Sequence, residues 1–224
     1  TPALRLVLAQ ESIRQGNYAG ARRQVEDILR RSPGHVQALE MSLRLDLMEG
    51  NREEAQKHAE RLLTVNPGNA LGNYIMGTIQ YAEGNLEMAI SSYRASLEAQ
   101  RSTEALNDLA WVLARKGEYD EAEVMIREAV ERSDRSAPSW DTFGVILMAQ
   151  DKLAEAEDAF LKALALRPDA AATTLHLAML KEKQGSLEEA LRLTEAIQTR
   201  LSELSLPLQG DFRELQTRLR KQDG

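Results

Sequence analysis

Residues Ala137 to Pro168 read APSWDTFGVILMAQDKLAEAEDAFLKALALRP. Apolar side chains recur at helical spacing on both sides of a polar step near Asp151, which predicts two short amphipathic helices joined by a tight turn. Large residues (Trp140, Phe143, Leu147, Phe160) alternate with small ones (Gly144, Ala156, Ala163), so the two helices can lie close and fill the space between them. Pro168 closes the stretch, because proline cannot supply the amide a continuing helix needs.

The same turn recurs along the whole chain, at Gly16, Gly50, Gly84, Gly117, Asp151 and Gly185, with steps of 34, 34, 33, 34 and 34 residues. Alanine follows five residues after each, at Ala21, Ala55, Ala89, Ala122, Ala156 and Ala190. A small residue early in the second helix lets it cross the first at short distance, glycine supplies the left-handed geometry that ends the first helix, and Asp tolerates that geometry better than most residues. The first pair is expected near residues 3 to 15 and 18 to 31. The single missing residue is expected in the connection from Gln100 to Thr103. Pro33-Gly34 and Pro67-Gly68 end the second helices of the first two pairs.

This pattern resembles the tetratricopeptide repeat, a helix-turn-helix unit of 34 residues. The resemblance covers about six repeats, near 2–34, 35–68, 69–102, 103–135, 136–169 and 170–204. It implies an all-α fold, a right-handed α-solenoid of antiparallel helix pairs forming one domain over residues 1–224. Repeat two departs from the family, with Ser42, Leu43 and Asp46 where a large apolar residue, a small residue and an aromatic are preferred. Past Leu204 the pattern stops, and a capping helix is expected over about 210–222. Asp211 and Glu214 stand there as an N-cap and N3 pair, with Phe212, Leu215 and Leu219 as its apolar stripe and Arg213, Arg218, Arg220 and Lys221 as its basic face. At the other end Leu4, Leu6, Val7 and Leu8 are too apolar for a solvated edge. Packing is expected there either against another copy, as a homo-oligomer through the N-terminal helix, or against an upstream repeat.

Composition narrows the function. A formal net charge of -7, from 35 acidic and 28 basic residues, argues against nucleic acid as partner, since phosphate binding needs clustered Lys and Arg. With no cysteine, disulfides, thiolate metal sites and Cys nucleophiles are excluded. No run approaches the roughly 18 apolar residues of a membrane span. A start at Thr1-Pro2 without Met suggests a piece of a longer protein. Two stretches, LNDLAWVLARKGEYDEAE and SWDTFGVILMAQ, resemble the repeat arrays of bacterial envelope proteins involved in polysaccharide export and surface assembly, so a periplasmic or envelope location stands beside a cytoplasmic one.

Chemistry is not expected. His35, His58 and His176 share no face and no HExxH is present, so neither a metal nor another cofactor is implied. Carboxylate pairs such as Glu53-Glu54, Asp120-Glu121 and Glu188-Glu189 follow the turns, where they stabilise helix N-termini. No Gly-rich phosphate loop occurs, and no catalytic residue is assigned.

In the family the first helix of each repeat lines the concave side through its fifth, ninth and twelfth positions, one helical stripe. Carried over, these are Glu40, Arg44 and Leu47; Tyr74, Thr78 and Tyr81; Asn107, Trp111 and Ala114; Asp141, Val145 and Met148; and Leu175, Met179 and Glu182, flanked by Leu71, Arg115 and Lys183. Aromatic and Met side chains rimmed by charge suit a protein partner, either a peptide or an amphipathic helix. The other reading is that these side chains pack against one another between adjacent first helices. Some family members grip a C-terminal carboxylate through Asn and Lys, but the sixth positions here are Val7, Met41, Ile75, Asp108, Thr142 and His176, and Asp108 would repel that group. Trp140 holds a packing position and is read as structural. The implied function is a non-enzymatic scaffold, with a self-assembling or architectural module of a larger protein as the alternative.

Overall fold

The structure, a computed structural model, describes residues 1–222, and among them there is no β-strand. Helices follow one another in pairs: α1 (Pro2–Arg14) and α2 (Tyr18–Arg31), α3 (Val36–Glu49) and α4 (Arg52–Val65), α5 (Ala70–Ala82) and α6 (Leu86–Ala99). Next come α7 (Thr103–Lys116) and α8 (Tyr119–Arg132), α9 (Ala137–Ala149) and α10 (Leu153–Leu166), and α11 (Ala171–Lys183) and α12 (Leu187–Ile197). A 3-10 stretch, Gln198–Glu203, leads into α13 (Leu206–Gln222). The helices make two compact units, Thr1–Val112 and Leu113–Gly224, divided within α7.

The turn residues behave alike. Gly16, Gly50, Gly84, Gly117 and Gly185 all have φ between 73° and 89°, and Asp151 joins them at 63°. Alanine five residues on is buried in every pair, Ala21, Ala89, Ala122, Ala156 and Ala190 at 0 % exposure and Ala55 at 1 %. The shortened repeat also lies where expected: residues 100–102 form a three-residue connection between α6 and α7, where α4 and α5 are joined by the four residues 66–69.

In the first unit α5 and α6 run antiparallel, since Ser96 Oγ reaches the carbonyl of Ala70 at one end (2.9 Å) and Ser92 Oγ reaches Gln80 Oε1 at the other (2.7 Å). Gly77 permits the close crossing: a Cβ there would lie 2.8 Å from the Tyr93 ring. Neighbouring pairs approach through small residues as well, because a Cβ on Gly72 of α5 would lie 3.0 Å from the Leu63 side chain of α4. Repeat two keeps its helices despite its unusual residues. Asp46 of α3 is fully buried and accepts from Arg22 of α2 at 2.8 Å, while His58 Nδ1 of α4 lies 2.6 Å from its second oxygen. An ion cluster thus ties three helices where the family places an aromatic ring.

In the second unit α9 packs on α10 and α11 on α12. The unit is completed by α13, whose Phe212, Leu215 and Leu219 are buried against Ala171, Leu175 and Ala178 of α11. The apolar stripe is as expected, but the start of the helix is not. Asp211 and Glu214 lie inside α13, which begins at Leu206, so they form no capping box. Pro207 sits in the first turn, where a helix has no use for the missing amide, so the helix begins about four residues before the expected start near 210.

Candidate functional site

Tyr74, Thr78 and Tyr81 lie on α5, and Asn107, Asp108 and Trp111 on α7, all within the first unit. Trp111 Nε1 donates to Tyr81 Oη at 2.7 Å, and Tyr74 Oη donates to Asp108 Oδ2 at 2.8 Å. Asn107 Nδ2 donates to Asp108 Oδ1 at 3.0 Å, and Tyr93 Oη of α6 donates to Thr78 Oγ1 at 3.2 Å. Tyr74, Tyr81, Asn107 and Trp111 are each half-buried, whereas Thr78 is exposed. The aromatic side chains therefore do both things: they bind one another through their polar tips, and they leave ring surface open.

Burial shapes the acidity of this cluster. It pushes the Asp108 carboxyl above the usual carboxylate range, and the hydrogen bonds from Tyr74 and Asn107 only partly offset that. Burial likewise raises Tyr74, with the Asp108 charge adding to it, and pushes Tyr93 up to about 12. The phenols therefore remain neutral donors throughout the physiological range.

On α3, Arg44 is exposed and Leu47 is 43 % exposed. Leu47 and Thr78 line a cavity of about 390 Å³ together with Ile75, Ile79, Gln56 and Arg52. Leu71 is half-buried against the core of the same unit. Arg115 of α7 is exposed.

In the second unit Val145 and Met148 of α9 and Met179 of α11 are half-buried. Asp141 is engaged, with His176 Nδ1 of α11 at 2.9 Å. Burial pulls the His176 imidazole down, but the Asp141 carboxylate prevails and holds its pKa above the usual value. Lys183 Nζ donates to the carbonyl of Met148 at 3.0 Å and pairs with Asp151 at 3.0 Å. Leu175 is not a surface residue: it is fully buried, because α13 lies over the part of α11 that carries it. Glu182, the last of the three expected groove positions on α11, is bound by Arg218 of α13 at 2.6 Å. A terminal helix has converted two surface positions into packing ones.

Trp140 is structural, as expected. Its Nε1 donates to the carbonyl of Asp134 at 2.8 Å, and Lys162 of α10 stands 4.3 Å from the centre of its ring. What the sequence did not reveal is the role of Asp108. It was legible only as a group that would repel a carboxylate, whereas it is the acceptor on which Tyr74 and Asn107 converge. The available signal was spacing, since Tyr74 and Asp108 lie 34 residues apart.

Two family models, each described as tetratricopeptide repeat, match residues 6–45, 44–102 and 142–202 in one case and 102–135 in the other. The chain belongs to the tetratricopeptide repeat family. Human tetratricopeptide repeat protein 7A is 33 % identical over 94 residues, which are 42 % of this chain and 11 % of that protein. PilF of Pseudomonas aeruginosa superposes with a TM-score of 0.73 at 15 % identity, over 97 % of each chain. PilW, a type IV pilus biogenesis factor, gives 0.72 at 18 % identity over 93 % of this chain and 97 % of its own. YrrB, described as a TPR protein with an unusual peptide-binding site, gives 0.63 at 18 % identity over 77 % and 90 %. At these identities the likeness is one of fold. Proteins of the tetratricopeptide repeat family are protein-interaction scaffolds.

Proposed function

We propose that the chain is a non-enzymatic scaffold that docks a peptide or an amphipathic helix of a protein partner on the first-helix face. The observation that carries this is the aromatic set Tyr74, Tyr81 and Trp111, half-open to solvent and held in place by hydrogen bonds. Rings fixed before binding lose little side-chain freedom when covered, which favours their use as anchors. Thr78, Leu47 and the cavity beside them extend the same unit's accessible surface. The peptide-binding site described for YrrB supports a peptide as ligand. Short random peptides displayed on phage and selected on the full chain provide a probe. The Trp111→Ala variant should bind the selected peptide about 2 kcal/mol more weakly, the loss seen when an interface anchor is truncated, with little change in the helical melt. Unchanged affinity, or a fold lost on substitution, would remove the assignment.

A second reading has its own observation. Leu4, Val7 and Leu8 of α1 are 59 %, 63 % and 45 % exposed, a run of apolar surface that favours self-association or an architectural role. Light scattering over a concentration range tests it: a strict monomer with a soluble α1 leaves it without support.

A further inference from the structure

Asp46, Glu123, Asp141 and Glu182 have side chains at most 16 % exposed, and each meets a basic group: Arg22 and His58, Lys152 and Arg127, His176, and Arg218 respectively. A carboxylate withdrawn from water without such a partner is costly. Asp108 is in that position. It is half-buried on α7, its oxygens accept only from the neutral Tyr74 hydroxyl and Asn107 amide, and none of the ion pairs among the described residues includes it. Glu104, one turn earlier on the same helix, adds like charge nearby.

The surroundings match a cation. Asn107 Oδ1, one residue away, is buried with no hydrogen-bond partner. Asp108 itself has unfilled acceptor capacity, since each of its oxygens takes one hydrogen bond, and the complementary groups are those that only donate, an ammonium or a guanidinium. Tyr74, which donates to Asp108, has its ring 5.8 Å from that of Tyr93, and the hydrogen-bonded pair of Tyr81 and Trp111 joins the same two helices, α5 and α7. Aromatic faces take the aliphatic stem of Lys or Arg and attract its charged head.

We propose that this face of the first unit receives a Lys or Arg side chain of the docked segment, with its charged head on Asp108 and its stem against Tyr74, Tyr81 and Trp111. The proposal rests on reading the face as a docking surface and names the chemistry it selects. Binding supplies the countercharge that the free chain lacks, and a segment with Asp or Glu at that point is rejected by like charge.

The test uses the full chain and the most enriched peptide from the phage selection. The enriched sequences should share a Lys or Arg among apolar residues. Asp108→Asn should weaken binding roughly tenfold or more, the size of loss expected when one member of a desolvated charge pair is removed. Replacing the peptide's cation by Gln should weaken binding to the same degree, and the two changes together should cost no more than either alone. The free Asp108→Asn chain should melt at least as high as the parent, which shows that a lost affinity is not a lost fold. Independent, additive losses, an unaffected affinity, or enriched peptides without a shared cation would overturn the proposal. If Trp111→Ala loses the peptide while Asp108→Asn keeps it, the docking face stands and the cation site falls. If both variants bind like the parent, or no peptide is enriched, the docking reading falls with it.

Discussion

Gly144 of α9 and Phe160 of α10 meet so closely that a Cβ on the glycine would lie 2.5 Å from Cε1 of the ring. Phe160 is fully buried and has nowhere to retreat. Gly144→Ala gains about 1 kcal/mol of intrinsic helix preference, yet overpacking that costs about 1–3 kcal/mol should outweigh that gain and destabilise the chain by up to about 2 kcal/mol net. Urea unfolding checks the sign, and the double variant Gly144→Ala/Phe160→Leu should recover part of the loss. A stabilised single variant would mean that the crossing is looser than the geometry requires.

Asp46 gives a second prediction. Removing a fully buried carboxylate that joins Arg22 and His58 leaves Arg22 with Glu49 alone and the His58 ring without its partner, so Asp46→Ala should lower stability by about 1–3 kcal/mol. Because repeat arrays can open in parts, hydrogen exchange is the informative measurement. Amides of α2, α3 and α4 should lose protection while those of α9 and α10 keep theirs.

Glu123 gives the acid dependence. Burial would raise its pKa, but hydrogen bonds from Lys152 and Arg127, at 2.7 and 2.6 Å, hold it at about 2 against an ordinary 4.5. The folded-state value lies below the unfolded one, so the stabilisation is fully present above about 4.5 and is lost as pH falls towards about 2. Glu123→Gln should be less stable by about 2 kcal/mol at neutral pH, the order of a hydrogen bond to a charged group. Its melting temperature should fall less steeply than the parent's over that acid range, and parallel pH profiles would contradict the assignment.

At the turns, Asp151 stands with φ 63° where the other pairs use glycine. Asp151→Gly relieves strain of about 1 kcal/mol and gives up an exposed pair with Lys183 worth less than that, so a small gain in stability is expected. Gly117→Ala, at φ 89°, should lose about 1 kcal/mol. Thermal melts of the two variants should move in opposite directions.

The repeat register was legible because its causes are local: a left-handed residue at each turn and an alanine five residues later act within one helix pair. The expected groove positions were legible as an inventory of side chains, and two of them, Tyr81 and Trp111, are hydrogen-bonded to each other. Leu175 was misplaced because its burial depends on α13, an element outside the repeat, and no pattern within the repeat announces what will cover its end. Asp211 misled for a related reason. Its spacing to Glu214 is that of a capping box, yet the helix had already begun five residues earlier with Pro207 in its first turn. The partners of Asp108 were hidden because they depend on which residues of consecutive first helices stand opposite each other, and a count along one helix does not reveal that.

Within each unit the helices rest chiefly on their neighbours in sequence, α1 on α2, α2 on α3 and so on, with few contacts between distant parts of the chain. Such a unit responds to tension unlike a sheet, whose ladder of hydrogen bonds carries a load together and fails at once. A load at its ends is carried by one interface after another rather than shared among all of them. The same locality that makes the repeat easy to read makes the terminal helix pair of a unit, which has a neighbour on one side alone, the first to yield under load.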